Sequence, residues 1–130
     1  MSAEVDRLLA AVAEETGLDD FGDPSFRDGL EVFVAAIHDE AATNEIGAAV
    51  VDAQLRGALR NRLLVEDWWA RHPALADERI VGPIFIVGIS RSGTTALSHL
   101  LARDPANRSL LGWEAAAPVP PPEAATYTTD

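Results

Sequence analysis

The first half of the chain carries apolar residues at helical spacing. Val5, Leu8, Leu9 and Val12 recur every three or four positions, which predicts an amphipathic helix ending at Thr16-Gly17. A second apolar stripe follows Asp23-Pro24, a typical helix start with Asp23 as the N-cap, and it should end between His38 and Ala42. Its apolar positions are Phe26, Leu30, Phe33, Val34 and Ile37.

A third helix is predicted after Thr43 or Asn44, either of which can cap it. Its apolar positions recur near the helical period and continue toward Trp68-Trp69, before His72-Pro73. They are Ile46, Val50, Leu55, Leu59 and Leu63. Three helices of this kind need an apolar surface to cover, and the nearest candidate is a sheet beginning at Ile84.

The pattern changes after position 80. The run Ile84-Phe85-Ile86-Val87 is β-branched and aromatic with no polar alternation, which favours a strand buried on both faces. Leu97, Leu100 and Leu101 then lie at helical spacing and are expected to point inward, in a helix ending before Pro105. Ser109 to Trp113 could form a second short strand.

A glycine-bounded loop joins the predicted strand to the helix that follows. Gly88 and Gly93 are separated by four residues and followed by Thr94 and Thr95, which is the spacing of a phosphate-binding loop. Glycines allow the backbone to approach a phosphate, and the amides at the helix N-terminus point toward it. The lysine of nucleoside-triphosphate hydrolases is missing, because Thr94 stands in its place. The positive charge lies instead within the loop, at Arg91.

This loop resembles the 5′-phosphosulfate loop of sulfotransferases that use 3′-phosphoadenosine 5′-phosphosulfate (PAPS). The downstream residues resemble the bacterial branch of that family, with the specific similarity covering 83–123 and a less diagnostic one upstream, from Leu18 to Pro73. The downstream residues that carry the similarity are Leu100 to Pro105, Gly112-Trp113-Glu114 and the proline-rich Pro118 to Glu123.

The resemblance implies an α/β, P-loop-type sulfotransferase fold, truncated here after its first strand–loop–helix unit and preceded by an α-helical leader. Residues 1–80 would form the helical region, and 81–130 the incomplete start of the PAPS-binding domain. The implied reaction is sulfuryl transfer from PAPS to a hydroxyl or amine of a small-molecule acceptor, without a metal ion. Because the family's 3′-phosphate site has no counterpart in this sequence, the chain alone is expected to be inactive.

The resemblance also assigns candidate site residues. The donor would bind at Gly88, Arg91, Ser92, Gly93, Thr94 and Thr95. Arg91 and Glu114 would be catalytic, with Glu114 as the base that takes the acceptor proton. His99, one helical turn after the loop, is an alternative base, and Arg103 and Arg108 are expected to be solvated or ion-paired.

Charge and composition restrict the remaining possibilities. The net charge is −11, of which residues 1–80 contribute −10, and this acidity argues against nucleic acid or an anionic membrane as a partner. The absence of cysteine excludes disulfides and thiolate metal sites. The first residues lack the pattern of a signal peptide, so the expected location is cytoplasmic. Two alternatives remain: a fragment of another P-loop small-molecule kinase or NTPase, and a non-catalytic helical interaction module.

Overall fold

Helices dominate the part of the chain that the computed structural model describes, which is residues 2–123 and residue 125. α1 spans Ser2–Thr16, α2 Phe26–Asp39, α3 Glu45–Arg71, α4 Thr94–Leu101 and α5 Gly112–Ala116, with a short 3₁₀ helix at Pro73–Asp77 after α3. None of these helices is long and apolar enough to cross a bilayer. The three helices predicted upstream of position 80 are thus observed. The division of the chain into regions 1–80 and 81–130 stays a prediction. Within the second region, residues 124 and 126–130 lie outside the described residues.

The hydrophobic core lies between α1, α2 and α3. The predicted apolar stripes supply it, because residues three and four positions apart share one helix face. Its buried members are Val5, Leu9, Val12, Leu30, Val34, Leu59 and Leu63. The expectation that these helices cover a sheet at Ile84 is wrong for the described residues. The apolar faces of the three helices pack against one another instead.

The connection from α1 to α2 is fastened onto α3 by Arg62. Its guanidinium donates to the carbonyl oxygens of Phe21 (2.5 Å) and Asp23 (2.9 Å) and lies 4.4 Å from the centroid of the Phe26 ring. The predicted start of α2 at Asp23-Pro24 is too early, because Asp23 accepts the Ser25 amide in a separate turn and the helix begins at Phe26.

The start of α3 agrees with the sequence. The Asn44 side chain accepts a hydrogen bond from the Gly47 amide at 2.8 Å, so Asn44 is the N-cap that satisfies one otherwise unpaired amide of the first turn.

The predicted strand is extended but unpaired. Between residues 2 and 123 no β-strand is assigned, and Ile84, Phe85 and Val87 are 62%, 83% and 90% exposed. The prediction of a strand buried on both faces is therefore wrong for this structure, because a strand is buried only where neighbouring strands and covering layers exist. The α/β class and the P-loop architecture are accordingly not confirmed.

Two further expectations fail for the same reason. Leu97 and Leu100 of α4 are exposed, because no sheet lies against the helix face that was expected to point inward. The second strand predicted at Ser109 to Trp113 is also wrong, since α5 begins at Gly112.

Candidate functional site

The loop from Gly88 to Gly93 leads from the extended segment directly into α4. Its chain reverses in a turn in which the Ser92 amide donates to the Ile89 carbonyl oxygen at 3.2 Å. Gly93 is the N-cap of α4 with a φ of 87°, a left-handed conformation that glycine adopts without steric cost. The predicted sequence of loop and helix start is therefore present.

Gly88 lies where a side chain would not fit. A Cβ added at this position would overlap with Ser92 Oγ and approach Thr94 Cγ2 to 3.0 Å. The loop thus folds back over Gly88, which explains physically why the first glycine of the pattern is needed.

A cavity of about 380 Å³ opens at the N-terminus of α4, lined by Arg91, Gly93, Thr94, Thr95 and Ala96. Four of the residues proposed from the sequence to bind a donor thus lie together, while Gly88 and Ser92 shape the loop behind them. The first amides of a helix have no partner within it, and its dipole favours an anion there. The cavity therefore has the electrostatics of a small anion site.

Arg91 contributes the positive charge of this cavity. Its φ of 67° is left-handed, which costs a non-glycine residue about 1–2 kcal/mol. Strained backbone of this kind is typical of ligand-binding loops. Its guanidinium ion-pairs with no carboxylate within the described ranges, so it remains available to an incoming anion.

Glu114 lies in a different environment. It is 3% exposed; one carboxylate oxygen accepts from Arg108 at 2.7 Å and the other accepts from the Leu111 amide at 2.7 Å. The predicted ion pair of Arg108 is confirmed, with Glu114 as its partner. Glu114 is therefore an ion-paired helix cap rather than an acid at a strand end.

The structure does not bring Glu114 into the loop cavity. The Asn107 side chain donates to the Leu101 carbonyl oxygen at 3.1 Å, which fastens the chain just before Arg108 to the C-terminal end of α4. The cavity opens at the other end of that helix, and Glu114 is not among the residues that line it. The base role of Glu114 stays a prediction, as does that of His99, which is exposed on α4.

One contact of α5 could not be predicted from any sequence pattern. The Asn61 side chain of α3 donates to the Ala116 carbonyl oxygen of α5 at 2.9 Å, joining residues 55 positions apart. Only the fold can bring such a pair together.

Metal ligands are not grouped in the described residues: no three histidine, aspartate or glutamate side chains there lie as a metal ion would require. A second, larger groove of about 730 Å³ lies among α1, α2 and α3 and contains none of the predicted site residues. The loop cavity therefore remains the candidate site.

Comparison with protein families supports the resemblance of the loop region. Residues 83–129 match the model described as the sulfotransferase family. No match was found among curated proteins.

Two solved structures are similar over nearly the whole chain. Sulfotransferase STF1 from Mycobacterium tuberculosis is 40% identical with a TM-score of 0.79, over 97% of this chain and 35% of STF1. Sulfotransferase STF9 from Mycobacterium avium is 34% identical with a TM-score of 0.78, over 96% of this chain and 32% of STF9. The chain thus spans about a third of the length of the solved sulfotransferases that it matches.

Proposed function

We propose that this chain is part of an enzyme that transfers a sulfuryl group from PAPS to a hydroxyl or amine of a small-molecule acceptor, because residues 83–129 match the model of the sulfotransferase family. The observation that carries the proposal is the cavity at the N-terminus of α4, which gathers Arg91, Thr94 and Thr95 around the first amides of the helix. We further propose that the complete domain is α/β and of the P-loop type, with 84–87 as one of its strands.

In this proposal the loop binds the 5′-phosphosulfate end of the donor. The glycines admit the anion, the amides at the start of α4 donate to its oxygens, and the threonine hydroxyls add donors at the mouth of the cavity. Arg91 can pair with two anion oxygens at once, since a guanidinium presents parallel N–H groups. As the acceptor attacks sulfur in line, the bond from sulfur to the 5′-phosphate oxygen breaks and adenosine 3′,5′-bisphosphate leaves. Negative charge grows on its 5′-phosphate, and these donors stabilise it. No bridging metal ion is needed for this role.

The expected affinity of the loop alone is modest. A helix N-terminus contributes up to about 1 kcal/mol and a charge-assisted hydrogen bond about 1.5–3 kcal/mol. Together these suggest a dissociation constant in the millimolar range. The family's contacts to the 3′-phosphate are not found in this chain, so we propose that it turns over little or no PAPS on its own.

The acceptor proton needs a base. The family resemblance implies Glu114, and in that role its carboxylate would have to leave Arg108, to which it is bound at 2.7 Å. The absence of nucleic acid and membrane partners remains a proposal that rests on the acidic composition, and a cytoplasmic location remains one that rests on the pattern of the first residues.

Ligand-observed NMR tests the proposed donor site. Saturation transfer from the protein to PAPS, adenosine 3′,5′-bisphosphate or ATP with Mg²⁺ would be titrated for the parent chain and for Arg91→Ala. We expect binding of PAPS and the bisphosphate, weakened about 10- to 100-fold in Arg91→Ala by the loss of the charged hydrogen bond. Arg103→Ala, at an exposed arginine after α4, is the matched control and should bind as the parent does. Binding of ATP only, and only with Mg²⁺, would replace the proposal with a kinase-type loop.

A further inference from the structure

Glu114 is buried and joins Arg108 to the start of α5. Its two oxygens accept from a guanidinium on one side and from a backbone amide on the other. Arg108 is 67% exposed while the carboxylate is 3% exposed, so the pair reaches from the surface into the interior. Burying a carboxylate is costly unless it is both paired and hydrogen-bonded, and here it is both.

The helix that Glu114 caps has little stability of its own. α5 has five residues, far fewer than an isolated helix needs in water. Glu114 is the third helical residue and its side chain returns to the amide of Leu111, the residue before the helix, which is the side-chain half of a capping box. The other end of α5 is held by Asn61 of α3. The segment 108–116 is therefore fixed at its start by Glu114 and at its end by α3.

These contacts leave the carboxylate poorly placed to accept a proton from a substrate. Both carboxylate oxygens already accept hydrogen bonds, from the Arg108 guanidinium and from the Leu111 amide, so a substrate hydroxyl or amine would have to displace one of them. Glu114 is also not among the residues that line the loop cavity. Its geometry is that of a residue that holds structure.

We propose that Glu114 is a positioning residue, which fixes the Arg108 guanidinium and the start of α5, and that it is not the base. The statement that Glu114 is not the base rests on the proposed sulfuryl transfer, in which the acceptor proton then goes to another group. The positioning role itself follows from the contacts alone.

Amide hydrogen exchange measured by NMR tests the positioning role. The reporters are the amides of Ala115 and Ala117, which donate to Leu111 and Trp113 at 3.0 Å within the α5 turn. Glu114→Ala should speed their exchange about 5- to 30-fold, as expected when a cap contributing about 1–2 kcal/mol is lost. Glu114→Gln keeps an oxygen that can accept from the Leu111 amide, and should restore most of the protection.

The side chain of Arg108 provides a second reporter. Its exchange with water depends on the ion pair with Glu114, and would not respond if Glu114 only capped the helix. In the parent chain its guanidinium N–H signals should exchange with water more slowly than those of Arg103, for which the structure gives no side-chain hydrogen bond. Both Glu114 variants should abolish this difference. Core amides of α1 and α3 serve as the control, and should be unaffected because none of the buried core residues lies in 108–116.

The outcomes separate this inference from the proposed function. Unchanged exchange at Ala115 and Ala117 in Glu114→Ala would overturn the positioning role, whether or not the loop binds PAPS. Loss of PAPS binding in Glu114→Gln, with α5 still protected, would also overturn it, because the carboxylate would then act at the donor site. Failure of the parent chain to bind PAPS, with α5 exchange behaving as expected, would count against the proposed function alone.

Discussion

Gly88 is a position at which the loop leaves little room for a side chain. In Gly88→Ala the new methyl group would push against Ser92 Oγ and Thr94 Cγ2, and would displace the helix start that forms the cavity. We expect PAPS binding to weaken about 10-fold, equivalent to ~1.4 kcal/mol, as measured by ligand-observed NMR. Gly112→Ala is the matched control, because a Cβ there meets nothing within 4 Å. Equal affinities for the two variants would show that the close approach at Gly88 is unimportant.

Asp23 makes the stability of the chain sensitive to acid. Hydrogen bonds from Ser25, assisted by the charge of Arg62, hold the pKa of Asp23 below its ordinary value. A carboxylate whose pKa is lower in the folded state stabilises the fold above the unfolded pKa of about 3.9, and this contribution disappears as pH falls through the lower, folded pKa.

Urea unfolding between pH 2 and pH 7 tests this linkage. Asp23→Asn should reduce the free energy of unfolding near pH 7 and narrow its difference from the parent as pH falls below about 4. Asp19→Asn, at an exposed carboxylate with no hydrogen bond in the structure, should parallel the parent at every pH. A constant difference between Asp23→Asn and the parent over the whole range would contradict the linkage.

At the scale of elements, α3 depends on its cap. Asn44 satisfies the Gly47 amide at 2.8 Å, and its replacement by alanine typically costs about 0.5–2 kcal/mol. Because α3 supplies Leu59 and Leu63 to the core, this loss should appear in the free energy of unfolding measured in urea. Thr43→Ala, the other cap predicted from the sequence, should change that energy by less than about 0.5 kcal/mol. The reverse order of effects would assign the cap to Thr43.

The elements that the sequence predicts correctly are those determined by local chemistry. The apolar stripe of α1, the cap at Asn44 and the turn at Gly93 each depend on residues within a few positions of one another. The strands predicted at 84–87 and 109–113 depend instead on partners distant in sequence. Their composition favours a strand, but pairing and burial decide whether one forms.

In the candidate site, too, the residues close together in sequence were predicted correctly to meet, whereas the position of a distant residue was not. Arg91, Thr94 and Thr95 meet in one cavity because all of them lie within a single loop and helix start. Glu114 was placed at the site through family resemblance alone, with no spacing that could show its distance from Arg91. The sequence could not reveal its burial beside Arg108, because burial depends on the three-dimensional arrangement of the segment and not on spacing in the chain.

The whole molecule combines a helical core with an exposed apolar segment, residues 80–89. Ile80, Phe85, Val87 and Ile89 are each more than 80% exposed, and contiguous exposed apolar surface of this kind promotes association. We expect the purified chain to self-associate with increasing concentration in sedimentation velocity experiments.

A single charge should reduce this association. Val87→Lys lies outside the helical core, so it should shift the chain toward the monomer without changing the urea midpoint of the helices. Val32→Lys, at an exposed position of α2, is the control and should associate as the parent does. A parent chain that stays monomeric at all concentrations would show that residues 80–89 are already covered.

The central claim is that residues 88–95 form an anion site for a sulfuryl donor within this chain. The most direct measurement is a map of backbone amide chemical shifts during titration with PAPS, adenosine 3′,5′-bisphosphate and ATP with Mg²⁺, for the parent and for Arg91→Ala. Shifts clustered at 88–95, produced by PAPS, unaffected by Mg²⁺ and reduced in Arg91→Ala, are the predicted result. Shifts that avoid the loop, or that appear there only with ATP and Mg²⁺, would contradict it.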